Sequence, residues 1–132
     1  MSEEDVETVR RHIEAWNRRD LKTWLAWLHA DAEIDWSRSL GPLKGVYRGH
    51  GEHEVFWDAF WSTFEDVHVV VHGFTEAGSE VVVPNTGHIR GRQGIEVVAR
   101  STFVFTVENR QITRLRMFQE RAEAFEAAGL SE

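Results

Sequence analysis

The hydrophobic period changes about half-way along the chain, and this change most constrains the fold. Up to about residue 64, apolar residues mostly recur every three or four positions, as in Val9, Ile13 and Trp16, which is typical of amphipathic helices. Beyond that point apolar and polar residues alternate, which is typical of strands. Consecutive strands joined by short turns pair antiparallel. The sequence therefore predicts an α+β fold, in which three N-terminal helices pack on a strongly curved antiparallel sheet and a C-terminal helix follows.

Turn and capping residues divide the chain into predicted elements. Asp20 can accept hydrogen bonds from the free N–H groups of a helix start, so a second helix is predicted to begin after it. Glycines and a proline between Ser37 and Gly49 predict a loop. The predicted helices cover about 3–19, 21–29, 51–64 and 119–128, and the predicted strands cover 32–36, 67–75, 81–92, 95–107 and 111–118.

The composition is that of an ordinary globular protein. Its 132 residues, 42% hydrophobic and 28% charged, suit one domain over 1–132 with one core. The net charge of −7 and the lack of a continuous basic face argue against nucleic acid as a partner. The absence of cysteine excludes disulfides and cysteine-ligated metals. No apolar run reaches the roughly 20 residues of a membrane span, and the N-terminus is acidic, so no membrane association and a cytoplasmic location are expected.

All six tryptophans lie in the first half of the chain. Large aromatic rings bury much area and also line small-molecule pockets. The helical half is therefore expected to supply the cover and walls of a pocket above the curved sheet. The alternative is that the same side chains close completely into a core. The predicted pocket residues are Trp16, Trp36, Tyr47, Trp57, Phe60, Ser101, Phe103, Leu115 and Met117.

Four short segments carry a resemblance to a known family. They are 13–21 (IEAWNRRDL), 28–32 (LHADA), 46–50 (VYRGH) and 110–116 (RQITRLR). Together with the order of elements, they resemble the SnoaL-like proteins of the nuclear transport factor 2 superfamily. The resemblance extends over nearly the whole chain and implies an α+β cone that dimerises. That superfamily includes polyketide cyclases, ketosteroid isomerase, limonene-epoxide hydrolase, scytalone dehydratase and non-catalytic binding proteins, so the fold does not decide the function.

The resemblance also implies that familiar catalytic residues are replaced in this chain. Met117 stands where the cyclases and limonene-epoxide hydrolase carry an aspartate after an arginine. Trp36 matches the base of ketosteroid isomerase, His12 its oxyanion-hole tyrosine, and Ser101 its protonated aspartate. The implied pocket is more hydrophobic than in these enzymes, with histidine as its main reactive group.

Three titratable side chains, His12, His88 and Asp35, are the candidate catalytic residues. His12 flanks the apolar stripe of the first helix, where an imidazole could act as a general acid or base or could hydrogen-bond within the core. His88 precedes Arg90 by two residues, so both could meet an acidic or carbonyl ligand, unless this strand face meets solvent or a subunit. A buried Asp35 would make a good base, but alternation places it on the outward side.

The segment 50–54 (HGEHE) raises the question of a metal site. Two histidines three positions apart at a helix start can share a face. A zinc site also needs a third protein ligand and supporting hydrogen bonds, and the sequence specifies neither. No dinucleotide, phosphate-loop or nucleophile-elbow motif occurs. No metal and no other cofactor are therefore predicted.

Two functions remain open at this point. The first is a cofactor-independent isomerase, lyase or cyclase that acts on a small apolar or aromatic substrate, with His12, His88 or Asp35 moving the proton. The alternative is a non-catalytic module that binds a small ligand or serves as a dimeric interaction module. An ionisable group at the cavity would favour catalysis, and a purely apolar and hydroxyl-lined cavity would favour binding. In both cases the outer sheet face is expected to form a homodimer.

Overall fold

A computed structural model describes residues 2–41 and 43–130, and this part of the chain contains four helices near their predicted positions. The helix that follows Asp20 begins as the capping argument predicts, because the Asp20 carboxylate accepts a hydrogen bond from the Thr23 backbone N–H (3.1 Å). None of these helices is long and apolar enough to cross a membrane. The helices are α1 (Ser2–Asn17), α2 (Leu21–Ala26), α3 (Gly49–Thr63) and α4 (Arg121–Ala127).

Seven strands form one sheet within the described residues. They are β1 (Leu28–Asp35), β2 (Val46–Arg48), β3 (Phe64–Val71), β4 (Thr75–Ala77), β5 (Glu80–Gly91), β6 (Glu96–Glu108) and β7 (Gln111–Phe118). Across the sheet the order is β2-β1-β7-β6-β5-β3, and β4 pairs with β5. The turn between β6 and β7 consists of Asn109 and Arg110, which both have positive φ angles, as short hairpin turns require.

The α+β class is confirmed, but the sheet is mixed and not wholly antiparallel. β1 pairs antiparallel with β2 on one side and parallel with β7 on the other, where Ile34 lies opposite Leu115. The antiparallel prediction rested on consecutive strands joined by short turns, whereas β1 and β7 are separated by most of the chain. β2 lies inside the predicted loop, and β4 begins where one predicted strand ends and continues into the segment before the next. Neither was predicted as a separate strand, because strands of three residues are too short to reveal a period.

Successive side chains of the central strands point to opposite faces of the sheet and therefore pack into two separate cores. Val81 and Val83 of β5 face the three N-terminal helices, and this side of the sheet is called the inner face. Val82 lies between them and faces α4 on the opposite side, which is called the outer face. The inner core contains most of the aromatic rings, so any aromatic cavity must lie on the inner face.

β3 lies at an edge of the sheet, and side chains from the end of α1 occupy its free backbone groups. Asn17 donates through Nδ2 to the Val69 carbonyl oxygen (2.9 Å) and accepts from the Val69 N–H through Oδ1 (2.8 Å). Trp16 donates through Nε1 to the Val67 carbonyl oxygen (3.1 Å). These contacts hold α1 over the inner face and cover an edge that could otherwise pair with another chain.

Candidate ligand site

A cavity of about 110 Å³ lies between the inner face of the sheet and the N-terminal helices. Its rings contact one another at the distances of edge-to-face and tilted aromatic pairs, such as 5.6 Å between the centroids of Trp16 and Phe60. Walls of this kind suit an apolar ligand with flat rings. The rings of the lining include Trp16, Trp24, Trp36, Phe60, Phe103 and Phe105.

The cavity runs along β5 and β6 from a closed end to an open end. Phe105 lies at the closed end and is buried. Further along, Ser101 lies opposite Asn85, and then Ala99 lies opposite Gly87. Ala99 and Gly87 are partly exposed, so this is the open end. Phe105 and Ser101 are four residues apart, which corresponds to about 13 Å along a strand.

His12 is the polar side chain at the closed end. It is 2% exposed, stacks on the Trp24 ring with 5.2 Å between centroids, and meets the Phe105 ring at 5.9 Å. Its Nδ1 lies 3.0 Å from the Trp24 carbonyl oxygen, and since a carbonyl can only accept, Nδ1–H is the donor. Burial lowers the pKa of His12 to about 3 and outweighs the opposing effect of this hydrogen bond. The imidazole is therefore neutral at pH 7.

Asn85 and Ser101 form a second polar group part-way along the cavity. Asn85 is buried and donates through Nδ2 to the Val83 carbonyl oxygen (3.0 Å), while the Ser101 hydroxyl donates to Asn85 Oδ1 (3.1 Å). The second amide hydrogen of Asn85 has no partner among the described residues and can meet a ligand acceptor. Asn85 is not among the predicted pocket residues, although its alternation with Val81 and Val83 places it on the inner face.

His88 lies on the outer face, away from the cavity. It is exposed and lies opposite His68 of β3, while its neighbours Gly87 and Ile89 line the cavity. The pairing of β5 with β6 runs without a shift from residue 80 to residue 90, so no bulge turns the side chain of His88 toward the inner face. The structure therefore does not bring His88 and His12 together, and His88 cannot reach a molecule in the cavity.

Asp35 also lies outside the cavity, on the outward side that alternation predicts. Its Oδ1 accepts a hydrogen bond from the Ser37 backbone N–H (3.0 Å), and its Oδ2 pairs with Arg38 (3.1 Å). Although partial burial raises the pKa of Asp35, these hydrogen bonds outweigh burial, and the net pKa is lowered. The ionised carboxylate stabilises the turn that follows β1.

Six of the nine predicted pocket residues line the cavity, and three lie in packed regions beside it. The Tyr47 ring packs on Phe56 with 5.0 Å between centroids, and its hydroxyl donates to the Leu43 carbonyl oxygen (2.9 Å). Trp57 and Met117 are buried in the inner core. The six residues that line the cavity are Trp16, Trp36, Phe60, Ser101, Phe103 and Leu115.

The two histidines of the segment 50–54 join α3 to β1. His50 donates through Nε2 to the Leu28 carbonyl oxygen (3.0 Å), and His53 donates through Nε2 to the Ala32 carbonyl oxygen (2.7 Å). Burial lowers the pKa of His53. Within residues 2–41 and 43–130, no group of three or more potential ligand side chains is placed to hold a metal ion. The hydrogen bonds give both histidines a structural role.

The family of the chain is identified by its sequence. Residues 9–115, which include both the helices and the strands around the cavity, match the SnoaL-like domain family. The chain belongs to this family. No curated protein matches the SnoaL-like chain in sequence.

Solved structures share the fold over most of the SnoaL-like chain. An NTF2-like protein of unknown function from Burkholderia pseudomallei is 26% identical, with 93% of this chain and 95% of that chain covered and a TM-score of 0.79. TerC, co-crystallised with polyporic acid, is 19% identical, with 96% and 98% covered and a TM-score of 0.80. RV0760c from Mycobacterium tuberculosis, in complex with estradiol-17beta-hemisuccinate, is 18% identical, with 86% and 92% covered and a TM-score of 0.74. The last two likenesses concern the fold alone.

Proposed function

We propose that this SnoaL-like chain binds a neutral, mostly apolar, ring-containing small molecule in the cavity. One observation carries the proposal: apolar side chains, many of them aromatic, form most of the walls, and the polar side chains His12, Asn85 and Ser101 are all uncharged at pH 7. A charged ligand would lose its hydration without gaining a counter-ion. The small molecules bound to TerC and RV0760c support a ligand in the same fold.

Filling the open end of the cavity tests this proposal. Ala99 lines the cavity, whereas its neighbour Val98 points to the outer face and is 62% exposed. Ala99→Phe is expected to abolish binding because the new ring occupies the ligand space, and Val98→Phe, the matched control on the same strand, is expected to leave binding unchanged. Binding is measured as a rise in Tm with neutral two- to four-ring aromatic alcohols and ketones. Stabilisation of about 3 kcal/mol is expected at 100 times Kd.

Two results would contradict the binding proposal. One is the lack of any thermal shift across the whole panel, and the other is an equal loss of binding in both variants. Circular dichroism spectra of each variant without ligand establish that both are folded before their binding is compared.

Catalysis as an isomerase, lyase or cyclase is the second candidate, and His12 is the observation that favours it. Among the described residues, His12 is the titratable side chain that lines the cavity. Its pKa of about 3 makes the imidazole a weak base, because taking up a proton at pH 7 would cost about 5 kcal/mol. Binding experiments in D₂O separate the two functions. Mass spectrometry of the recovered ligand would find it unchanged after binding alone, and converted or deuterated after catalysis.

We also propose that the outer face forms a homodimer. α4 covers one part of this face, where Val82 and Val104 are fully buried. The part near β3 stays open and carries Val70 and Val98 as exposed apolar side chains. Apolar side chains on an uncovered sheet face favour a second copy of the chain as their cover.

A further inference from the structure

We propose that the closed end of the cavity selects ligands that present a hydrogen-bond donor, a hydroxyl or an N–H, over ligands that present a carbonyl. The selecting residue is His12, whose side chain meets the cavity as an acceptor. The inference rests on the proposed ligand-binding function and specifies the chemical group that the site recognises.

The protein, and not the ligand, sets the tautomer of His12. Nδ1–H donates to the Trp24 carbonyl oxygen, and the ring is held between the face of Trp24 and the edge of Phe105. Nε2 would become a donor only if this hydrogen bond broke or if the ring gained a second proton. The first change leaves a buried carbonyl unpaired, and burial of the ring opposes the second. Nε2 therefore remains an acceptor.

The Nε2 atom of His12 is accessible from the cavity. Among the described residues, three side-chain nitrogen atoms are inaccessible to solvent and also lack a hydrogen-bond partner: His53 Nδ1, Trp61 Nε1 and Arg116 Nε. His12 Nε2 also has no partner in this part of the chain, yet it is not among these inaccessible atoms. The 2% of His12 that is exposed therefore includes Nε2. Because His12 lines the cavity, a bound molecule can reach this atom.

A ligand that fills the closed end removes water from Nε2. A hydroxyl or N–H of the ligand replaces the lost hydrogen bond. A ligand carbonyl cannot, because its oxygen places a lone pair against the lone pair of Nε2 and leaves Nε2 without a hydrogen bond. Sites built around such a hydrogen bond discriminate strongly against analogues that cannot form it. The indole N–H of the adjacent Trp24 does not reverse this preference, because a hydroxyl can accept from it while donating to Nε2.

The polarity is opposite further along the cavity. There the free amide hydrogen of Asn85 suits a ligand carbonyl, at a distance of about 13 Å from the closed end along the strands. A ligand that satisfies both positions is elongated, with a hydroxyl or N–H at the end that enters first.

The comparison of 9-fluorenol with 9-fluorenone tests the selection, since the two probes share the fluorene ring system and differ at C9, which carries a hydroxyl in one and is a carbonyl carbon in the other. Isothermal titration calorimetry is expected to give at least about 10-fold tighter binding of the alcohol by the unaltered chain. His12→Phe keeps an aromatic ring but removes the acceptor, so the ratio is expected to fall to about one. His53→Gln is the matched control, because His53 is buried but does not line the cavity, and it is expected to keep the wild-type ratio.

The possible outcomes distinguish failure of the proposed preference for hydrogen-bond donors from failure of the proposed ligand-binding function. Equal affinities for both probes in the unaltered chain, or a preference that persists in His12→Phe, would overturn the selection alone. Failure of fluorene, 9-fluorenol and 9-fluorenone to bind at all would overturn the binding function and the selection with it. If His12→Phe does not fold, His12→Gln replaces it. Its amide can donate as well as accept, so binding is expected to persist with a reduced ratio.

Discussion

The imidazole of His12 lies between the rings of Trp24 and Phe105, and its charge state follows from this position. An exposed histidine titrates near pH 6.5, whereas burial lowers the pKa of His12 to about 3. The unfolded chain therefore takes up a proton below pH 6.5 that the folded chain does not take up until about pH 3. His12 therefore costs no stability well above pH 6.5, and it lowers the free energy of unfolding progressively as the pH falls from 6.5 to about 3.

Replacement of His12 is expected to make stability less dependent on pH. Each pH unit below 6.5 costs about 1.4 kcal/mol for one such histidine, so the unaltered chain loses about 2 kcal/mol through His12 between pH 7.5 and pH 5.0. Urea unfolding of His12→Phe at these two pH values is expected to reveal a loss that is smaller by this amount. His53, whose pKa burial also lowers, contributes to the remaining loss. An equal loss in both proteins would argue against a neutral His12.

Among the elements, α1 and β3 depend on each other through side-chain-to-backbone hydrogen bonds. Asn17 pairs with both the N–H and the carbonyl of Val69, so it takes the place of a neighbouring strand at that position. The same contact positions α1 above the inner face, where His12 and Trp16 reach the cavity. The shape of the site therefore depends on how the edge of the sheet is closed.

Asn17→Ala is expected to destabilise the fold and expose the edge of β3. Loss of two hydrogen bonds to partly buried backbone groups is expected to lower the free energy of unfolding by about 1–3 kcal/mol. Urea unfolding measures this change, and light scattering on warming is expected to report earlier aggregation because the open edge can pair with another chain. Gln93→Ala, at an exposed turn, is the control. The edge-closing role would be refuted by equal stability of the two variants.

Most of the elements follow from the sequence, and the exceptions have physical causes. Helical and strand periods predicted α1, α3, β5, β6 and β7 within a few residues of their ends, because long segments reveal their period. Three-residue strands reveal none, so β2 and β4 were not predicted. The parallel pairing of β1 with β7 is a contact between distant segments, and no local turn specifies it.

At the scale of the whole molecule, the inner and outer faces have different roles. The inner face holds the cavity, and the outer face is closed by α4 only in part. Val98→Lys places a charge on the open part, whereas Val55→Lys places the same charge on α3, where Val55 is 59% exposed. If the outer face forms the homodimer, Val98→Lys is expected to be monomeric and Val55→Lys dimeric in sedimentation equilibrium. A monomeric unaltered chain, or equal behaviour of the variants, would refute the dimer.

The sequence by itself determined the class of elements and the direction of many side chains, because alternation and helical period are local properties. The outward direction of Asp35 and most of the aromatic cavity walls follow from them. Only the tertiary structure decided which histidine meets the cavity. His88 faces outward because the pairing of β5 with β6 continues without a bulge. His12 is a neutral acceptor because a carbonyl twelve residues away holds its Nδ1–H inside a buried site. Register and burial arise from contacts between distant segments, which no local pattern records.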